Sequence, residues 1–159
     1  MDMKPTNEQK LIILMLADIA EKLGADTHFD LKLVAKAIGY DSAWMLPFEY
    51  SMSFENEDLP VEVKDVINVL DMFDFIERGV EGLSPDDQAE IRVVPNGHNV
   101  VFRGFDGNNE TTHYGIAGHL VNDLKRFSRF YGRDLNSDRL FSMYMAACWR
   151  PMCLSVATS

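Results

Sequence analysis

The stretch Phe102-Arg103-Gly104-Phe105-Asp106-Gly107-Asn108-Asn109-Glu110 joins an extended, β-branched run (Val100-Val101-Phe102) to a long helical pattern. Two aromatics, two glycines and a crowd of acidic and amide side chains meet there. Glycine permits backbone geometry that other residues resist, and Asp and Asn bond to nearby backbone in turns and helix caps. Such a junction predicts a tightly specified turn into a core helix.

Downstream, a helix is expected from Asn109 or Thr111 through Tyr131. Its face carries Ile116, Leu120, Leu124, Phe127 and Tyr131 at helical spacing. Gly115 and Gly118 lie inside it at a cost of about 1 kcal/mol each, which close approach by another segment or a ligand would explain. Gly132 ends it. Asp134-Leu135-Asn136-Ser137 then reads as loop and cap for a last helix reaching Trp149, stopped by Pro151.

Upstream, Ile91-Arg92-Val93-Val94 and Asn99-Val100-Val101-Phe102 flank Pro95-Asn96-Gly97-His98. Asn-Gly between β-branched runs predicts at most one small hairpin. Before it, Ser84-Pro85-Asp86-Asp87 carries helix-start signals for a short helix to about Ile91. The strongest helix spans 61–78, with Gly79 as its end. It has one apolar stripe of Val63, Val66, Ile67, Leu70 and Phe73, and another of Val69, Met72, Phe73 and Ile76, as in a core helix. Its charged residues Glu62, Asp65, Asp74 and Glu77 read as a solvated face.

The first helix is expected over 7–23, with Thr6 and Gln9 as a capping box and Gly24 past its end. Leu11, Ile13 and Leu14 widen the stripe of Ile12, Met15, Leu16, Ile19 and Leu23. A helix apolar on so many sides is either central in the domain or partly buried in an oligomer. Asp30 caps a short helix over 31–38, stopped by Gly39. A helix-turn-helix reading of 33–42 fails, because Pro47 breaks the would-be recognition helix after about one turn. No Lys or Arg lies between Asp41 and Asp58 to neutralise a phosphate. Phe48, Tyr50, Met52 and Phe54 alternate like a strand, but Pro47 and Pro60 bracket them, so a partly packed loop is expected.

With 159 residues and a 47% apolar composition, the chain has core material for one mainly α, compact, multi-helical domain over 1–154, with 155–159 as a frayed tail. The net charge of −10 is segregated: −2 over 1–48, −11 over 49–90 and +3 over 91–159. An acidic middle repels polyanions, so no nucleic-acid partner is expected, though a modest basic patch is left for the last third. Cys148 and Cys153 make no CxxC or zinc pattern, as for free thiols in the cytoplasm. The apolar run 11–17 is too short and too soon interrupted by Asp18 to be a membrane span, so no membrane partner is expected.

Together, Val66…Leu70-Asp71-Met72-Phe73, Phe102-x-Gly104-Phe105-Asp106-Gly107-Asn108-Asn109-Glu110, Asp134-x-Asn136-Ser137 and Tyr144…Trp149 resemble the YfbU-like family of bacteria. Thr6-Asn7-x-Gln9-x-Leu11-Ile12 fits as well. The resemblance covers nearly the whole chain, and Gly104-Phe105-Asp106-Gly107-Asn108-x-Glu110 is its most specific part. It implies a mostly helical fold with no established activity, and supplies no catalytic residues. Some members carry a helix-turn-helix as an added segment, which suggested ligand sensing; this chain is expected to have no room for it. Many relatives are expected to have His where Asp138 stands here, which puts imidazole chemistry at that place in doubt.

The site readings divide three ways. A calcium loop beginning at Asp106 fails at Thr111, where Gly is required, and at Ala117, where a bidentate Glu should sit. A metal-assisted enzyme would centre on Asp106, Glu110 and His113, and an acid–base enzyme on Asp106 or Glu110 with His113 or His119. A non-catalytic ligand- or protein-binding regulatory module would line its pocket with Phe105, Asp106, Asn108, Asn136, Tyr144 and Trp149, beside Glu110, His113 and Ser137. The binding module is the reading adopted, with no metal, no cofactor, and self-association into a homo-oligomer alongside a small-molecule or protein partner. A purely structural role for the stretch would show as Asp106 and Asn108 buried and bonded only to backbone.

Overall fold

The local capping chemistry expected at the N-terminus is met. In the computed structural model, which describes residues 4–54, 58–93 and 100–137, helix α1 spans Asn7–Leu23. The Thr6 hydroxyl accepts from the Gln9 N–H at 3.3 Å, and the Gln9 side chain accepts from the Thr6 N–H at 2.9 Å. Gly24 ends the helix in the left-handed region at φ 62°, which satisfies the terminal carbonyls. Asp30 accepts from the N–H groups of Lys32 and Leu33 and so caps α2, Leu31–Gly39. Helix α3, Met45–Glu49, is a single turn. Pro47 falls early enough in it that its missing N–H removes no helical bond.

These elements form one unit, ending at Pro60. Helix α1 packs on α2, and the buried apolar residues among those described are Ala17, Leu33, Ala37, Ile38, Ala43, Met45 and Leu46, with Ser42 buried beside them. The expected partly packed loop is met only after α3, since Phe48 falls inside that helix. Tyr50 sets its ring edge-on to Phe29 at 5.0 Å and accepts from the Asp30 N–H, while Met52 is fully exposed. The apolar outer side of α1 is open: Leu11, Ile12, Met15, Leu16, Ile19 and Leu23 are all exposed.

A second unit begins at Val61. Helix α4, Val61–Glu81, buries Val63, Val66, Val69, Leu70 and Phe73. It runs through Gly79 instead of stopping there. Glycine inside a helix costs only about 1 kcal/mol, and pairing of Asp74, Glu77 and Glu81 with Arg129 and Arg133 holds the last turns in place. Those pairs also correct the solvated-face reading, since Glu77 is buried. Helix α5, Pro85–Val93, starts where expected, with the Ser84 hydroxyl accepting from the Asp87 N–H. It absorbs Ile91 to Val93, the first run of the expected hairpin. The turn itself, 95–98, lies outside the described residues.

Helix α6, Thr111–Gly118, packs on α4 and is much shorter than the expected helix to Tyr131. The chain continues through a π turn, His119–Asp123, then reverses with Lys125 and Phe127 in the left-handed region before a 3-10 turn, Ser128–Phe130. A straight helix would carry Phe130 about 18 Å beyond Gly118. In the fold Phe130 is fully buried, with its ring 5.2 Å from that of Phe102. Burying that ring outweighs continuing the helix. Among the described residues no other segment comes within 4 Å of a Cβ placed at Gly115 or Gly118.

The mainly α reading holds. Among the described residues the only strand-like feature is an isolated parallel bridge between Phe105 and Asn136. The expected last helix lies outside the described residues, apart from Ser137 at its start.

Candidate functional site

The 102–110 junction is built on backbone pairing across some thirty residues. The Phe105 N–H donates to the Leu135 carbonyl, and the Ser137 N–H donates to the Phe105 carbonyl, each at 2.9 Å. Gly104 makes that approach feasible. Its φ is +97°, and a Cβ there would lie 2.1 Å from the Leu135 carbonyl oxygen. Gly107 is crowded in the same way, by the Asn136 side chain, whose carbonyl oxygen accepts the Gly107 N–H at 2.9 Å. Two of the ten glycines are thus explained by contact with one short segment, 135–136.

Asp106 is buried, 4% exposed, and its carboxylate is occupied. One oxygen accepts from the N–H groups of Asn108 and Asn109 at 2.8 and 3.1 Å, and the other from the Asn109 side-chain amide at 2.7 Å. The Asn109 amide first, then the backbone N–H groups, hold its pKa below the ordinary aspartate range against the opposing effect of burial. The Asp106 N–H donates to the Glu110 carboxylate at 3.1 Å. The two acids therefore brace a loop ahead of α6, and the N-cap residue Glu110 makes no side-chain cap bond.

The predicted residues distribute as follows. Phe105, Asp106, Asn136 and Ser137 are brought together, with Glu110 beside them. Asn108 is exposed. The His113 ring lies 5.7 Å from that of Phe105, which places it against the junction's apolar side. His119 instead bonds through Nδ1 to Asp123 at 2.8 Å within the π turn. Tyr144 and Trp149 fall outside the described residues, as do Cys148 and Cys153. Among the described residues no group of three or more His, Cys, Asp or Glu side chains is arranged to hold a metal ion, and no helix is long and apolar enough to cross a membrane.

Two features escaped the sequence reading. The first is the ion-pair cluster on α4. Glu77 takes both guanidinium nitrogens of Arg133 at 2.9 and 2.8 Å and accepts the Phe102 N–H at 2.9 Å. Arg129 reaches Asp74 at 2.9 Å and Glu81 at 2.6 Å. Hydrogen bonds from Arg78 first, then Arg129, lower the pKa of Asp74, and Arg129 does the same for Glu81. Its signal was available: Asp74, Glu77 and Glu81 share one helical face, and Arg129 and Arg133 are spaced to match.

The second is a cavity of about 330 Å³ in the first unit, lined by Lys4, Pro5, Lys10, Ala37, Ile38, Asp41 and Ala43. Its floor is apolar, since Ala37, Ile38 and Ala43 are buried. Its rim carries the Lys10 ammonium, paired with Asp41, and Lys4. No sequence pattern marks it, because its lining comes from three separate segments.

A family model described as the YfbU domain matches residues 1–154. The chain is also similar to UPF0304 protein MJECS11 of Methanocaldococcus jannaschii, 28% identical over 122 residues, which cover 72% of this chain and 70% of that protein. No solved structure matches.

Proposed function

This chain belongs to the YfbU family, and we propose that within it the chain serves as a non-catalytic, cytoplasmic binding module whose ligand is a small organic anion. The observation that carries this reading is the cavity beside Lys10. Its volume sits at the lower end of the range for small-molecule sites, about 300–1,000 Å³. An apolar floor of Ala37, Ile38 and Ala43 under the Lys10 ammonium suits a short carboxylate with an apolar tail. Lys10 donates one N–H to Asp41; an ammonium group has three, so the pairing orients it and leaves donors for a ligand. Asp41 itself is held in the left-handed region at φ 54°, a conformation that Asp tolerates better than most residues.

The same reading assigns the 102–110 junction to the fold, although the burial and backbone-only bonding expected of a purely structural stretch are met only in part: Asp106 is buried but also bonds the Asn109 side-chain amide, and Asn108 is exposed. The Asp106 carboxylate is consumed by its own loop, which argues against Asp106 as a general base or metal ligand.

Thermal shift with butyrate, hexanoate and inorganic phosphate tests the proposal. Hexanoate is expected to raise the melting temperature more than phosphate, and Lys10→Met is expected to abolish the shift while leaving the fold intact. Equal or absent shifts for all three probes in the native chain would overturn it.

A further inference from the structure

We infer that the outer face of α1 is the surface through which two copies of this chain pair, antiparallel about a two-fold axis. The covered side of α1 carries Ala17, 7% exposed, with Lys10, Ile13 and Leu14 half-buried beside it. On the far side, exposure runs from 49% at Ile19 to 77% at Leu23, with Leu11, Ile12, Met15 and Leu16 between. At 100° per residue these six side chains make one contiguous apolar surface.

The pattern within that surface specifies the partner. Ile12, Leu16, Ile19 and Leu23 are spaced four, three and four residues apart, the alternation of a two-heptad coiled-coil seam. They are also symmetric about their own midpoint, between residues 17 and 18. An axis between residues 17 and 18 sets Ile12 of one copy against Leu23 of the other, and Leu16 against Ile19. All four seam residues then meet apolar partners, in a self-complementary contact that closes at two copies. A parallel pairing would not make this use of the symmetry.

Area and charge agree with the arrangement. Half to three-quarters of six large side chains amounts to roughly 600 Å² per copy, or about 1,200 Å² in all, the lower edge of stable protein interfaces. Monomers seldom leave a contiguous apolar patch of that size open. No charged residue lies on the seam itself. Asp18 and Lys22, which pair with each other at 2.7 Å and are well exposed, form a polar rim of the kind that surrounds an interface core. The surface is separate from the cavity, whose α1 residue, Lys10, lies on the covered side.

Analytical ultracentrifugation of the full chain at tens of micromolar reads the outcome. The native chain is expected to sediment as a dimer, and Leu16→Glu with Ile19→Glu as a monomer with an unchanged circular dichroism spectrum. A monomeric native chain overturns the inference; if the double variant is then also destabilised, the face is covered by another part of the same chain. A dimer that survives the double variant overturns it as well, by placing the interface elsewhere.

Orientation is read by disulfide trapping in a background with Cys148→Ser and Cys153→Ser. Ile12→Cys mixed with Leu23→Cys is expected to cross-link, and each alone is not. Cross-linking of Ile12→Cys with itself would overturn the antiparallel arrangement.

Discussion

Glu77 and Arg133 stand 56 residues apart and meet in a two-pronged ion pair, at 2.9 and 2.8 Å, with the carboxylate buried and also accepting the Phe102 N–H. That single carboxylate ties α4 to both ends of the junction region, from Phe102 to the segment just ahead of Asn136. The Arg133 guanidinium also sits 5.2 Å over the Phe130 ring, so charge and aromatic core meet at one place.

Removing a buried partner strands the other charge. Glu77→Ala is therefore expected to lower the unfolding free energy by about 3 kcal/mol. Glu77→Gln retains an acceptor for the Phe102 N–H and is expected to fall between the two. Urea denaturation measures both. As a contrast, Asp18→Ala, which breaks an exposed pair, is expected to leave the urea midpoint in place. Equal effects of Glu77→Ala and Asp18→Ala would show that the cluster does not hold the fold together.

The glycines separate by their surroundings. Gly104→Ala is expected to cost on the order of 3 kcal/mol or to prevent folding, because it adds a clash with the Leu135 carbonyl to an unfavourable φ. Gly79→Ala is expected to stabilise by about 0.5–1 kcal/mol, since a Cβ there meets open space in a helix interior. Opposite signs in matched denaturation curves are the readout.

Acid should expose the carboxylate network. Asp74 and Asp106 are both held below the ordinary aspartate value. A group whose pKa is depressed on folding stabilises the native state above its unfolded value, about 4, and that contribution disappears as pH falls through the lower folded value. The melting temperature is thus expected to hold from pH 7 to 5 and to drop steeply below 4. Asp106→Asn should flatten that drop from a lower starting stability. A native chain whose melting temperature is level down to pH 3 would contradict the bonding described for both residues.

How much was legible in advance depended on how local the cause was. Thr6, Gln9 and Gly24 bounded α1, and Asp30 and Ser84 started their helices, because each cap bonds within four residues of itself. The match of 102–110 to a distinctive pattern was legible too, as was the company of Phe105 and Asp106 with Asn136 and Ser137. What Gly104 and Gly107 were for was not. Their neighbours, Leu135 and Asn136, lie some thirty residues along the chain, and no periodicity reports a contact of that kind.

The helical character of the chain, the starts of its helices other than α3 and its family were thus written in the order of its residues, since hydrophobic period and capping act over a few positions. Three things were decided only in three dimensions. Phe130 broke the helix after Gly118 because a buried ring was worth more than continued backbone bonds. The outer face of α1, apolar enough to read as core, came to stand exposed. Part of the segregated charge, acidic in the middle and basic toward the end, meets in one contact: Arg129 and Arg133 pair with Asp74, Glu77 and Glu81. Charges distant in sequence attract only once folding has set them side by side, since solvent screens them beyond about 10 Å.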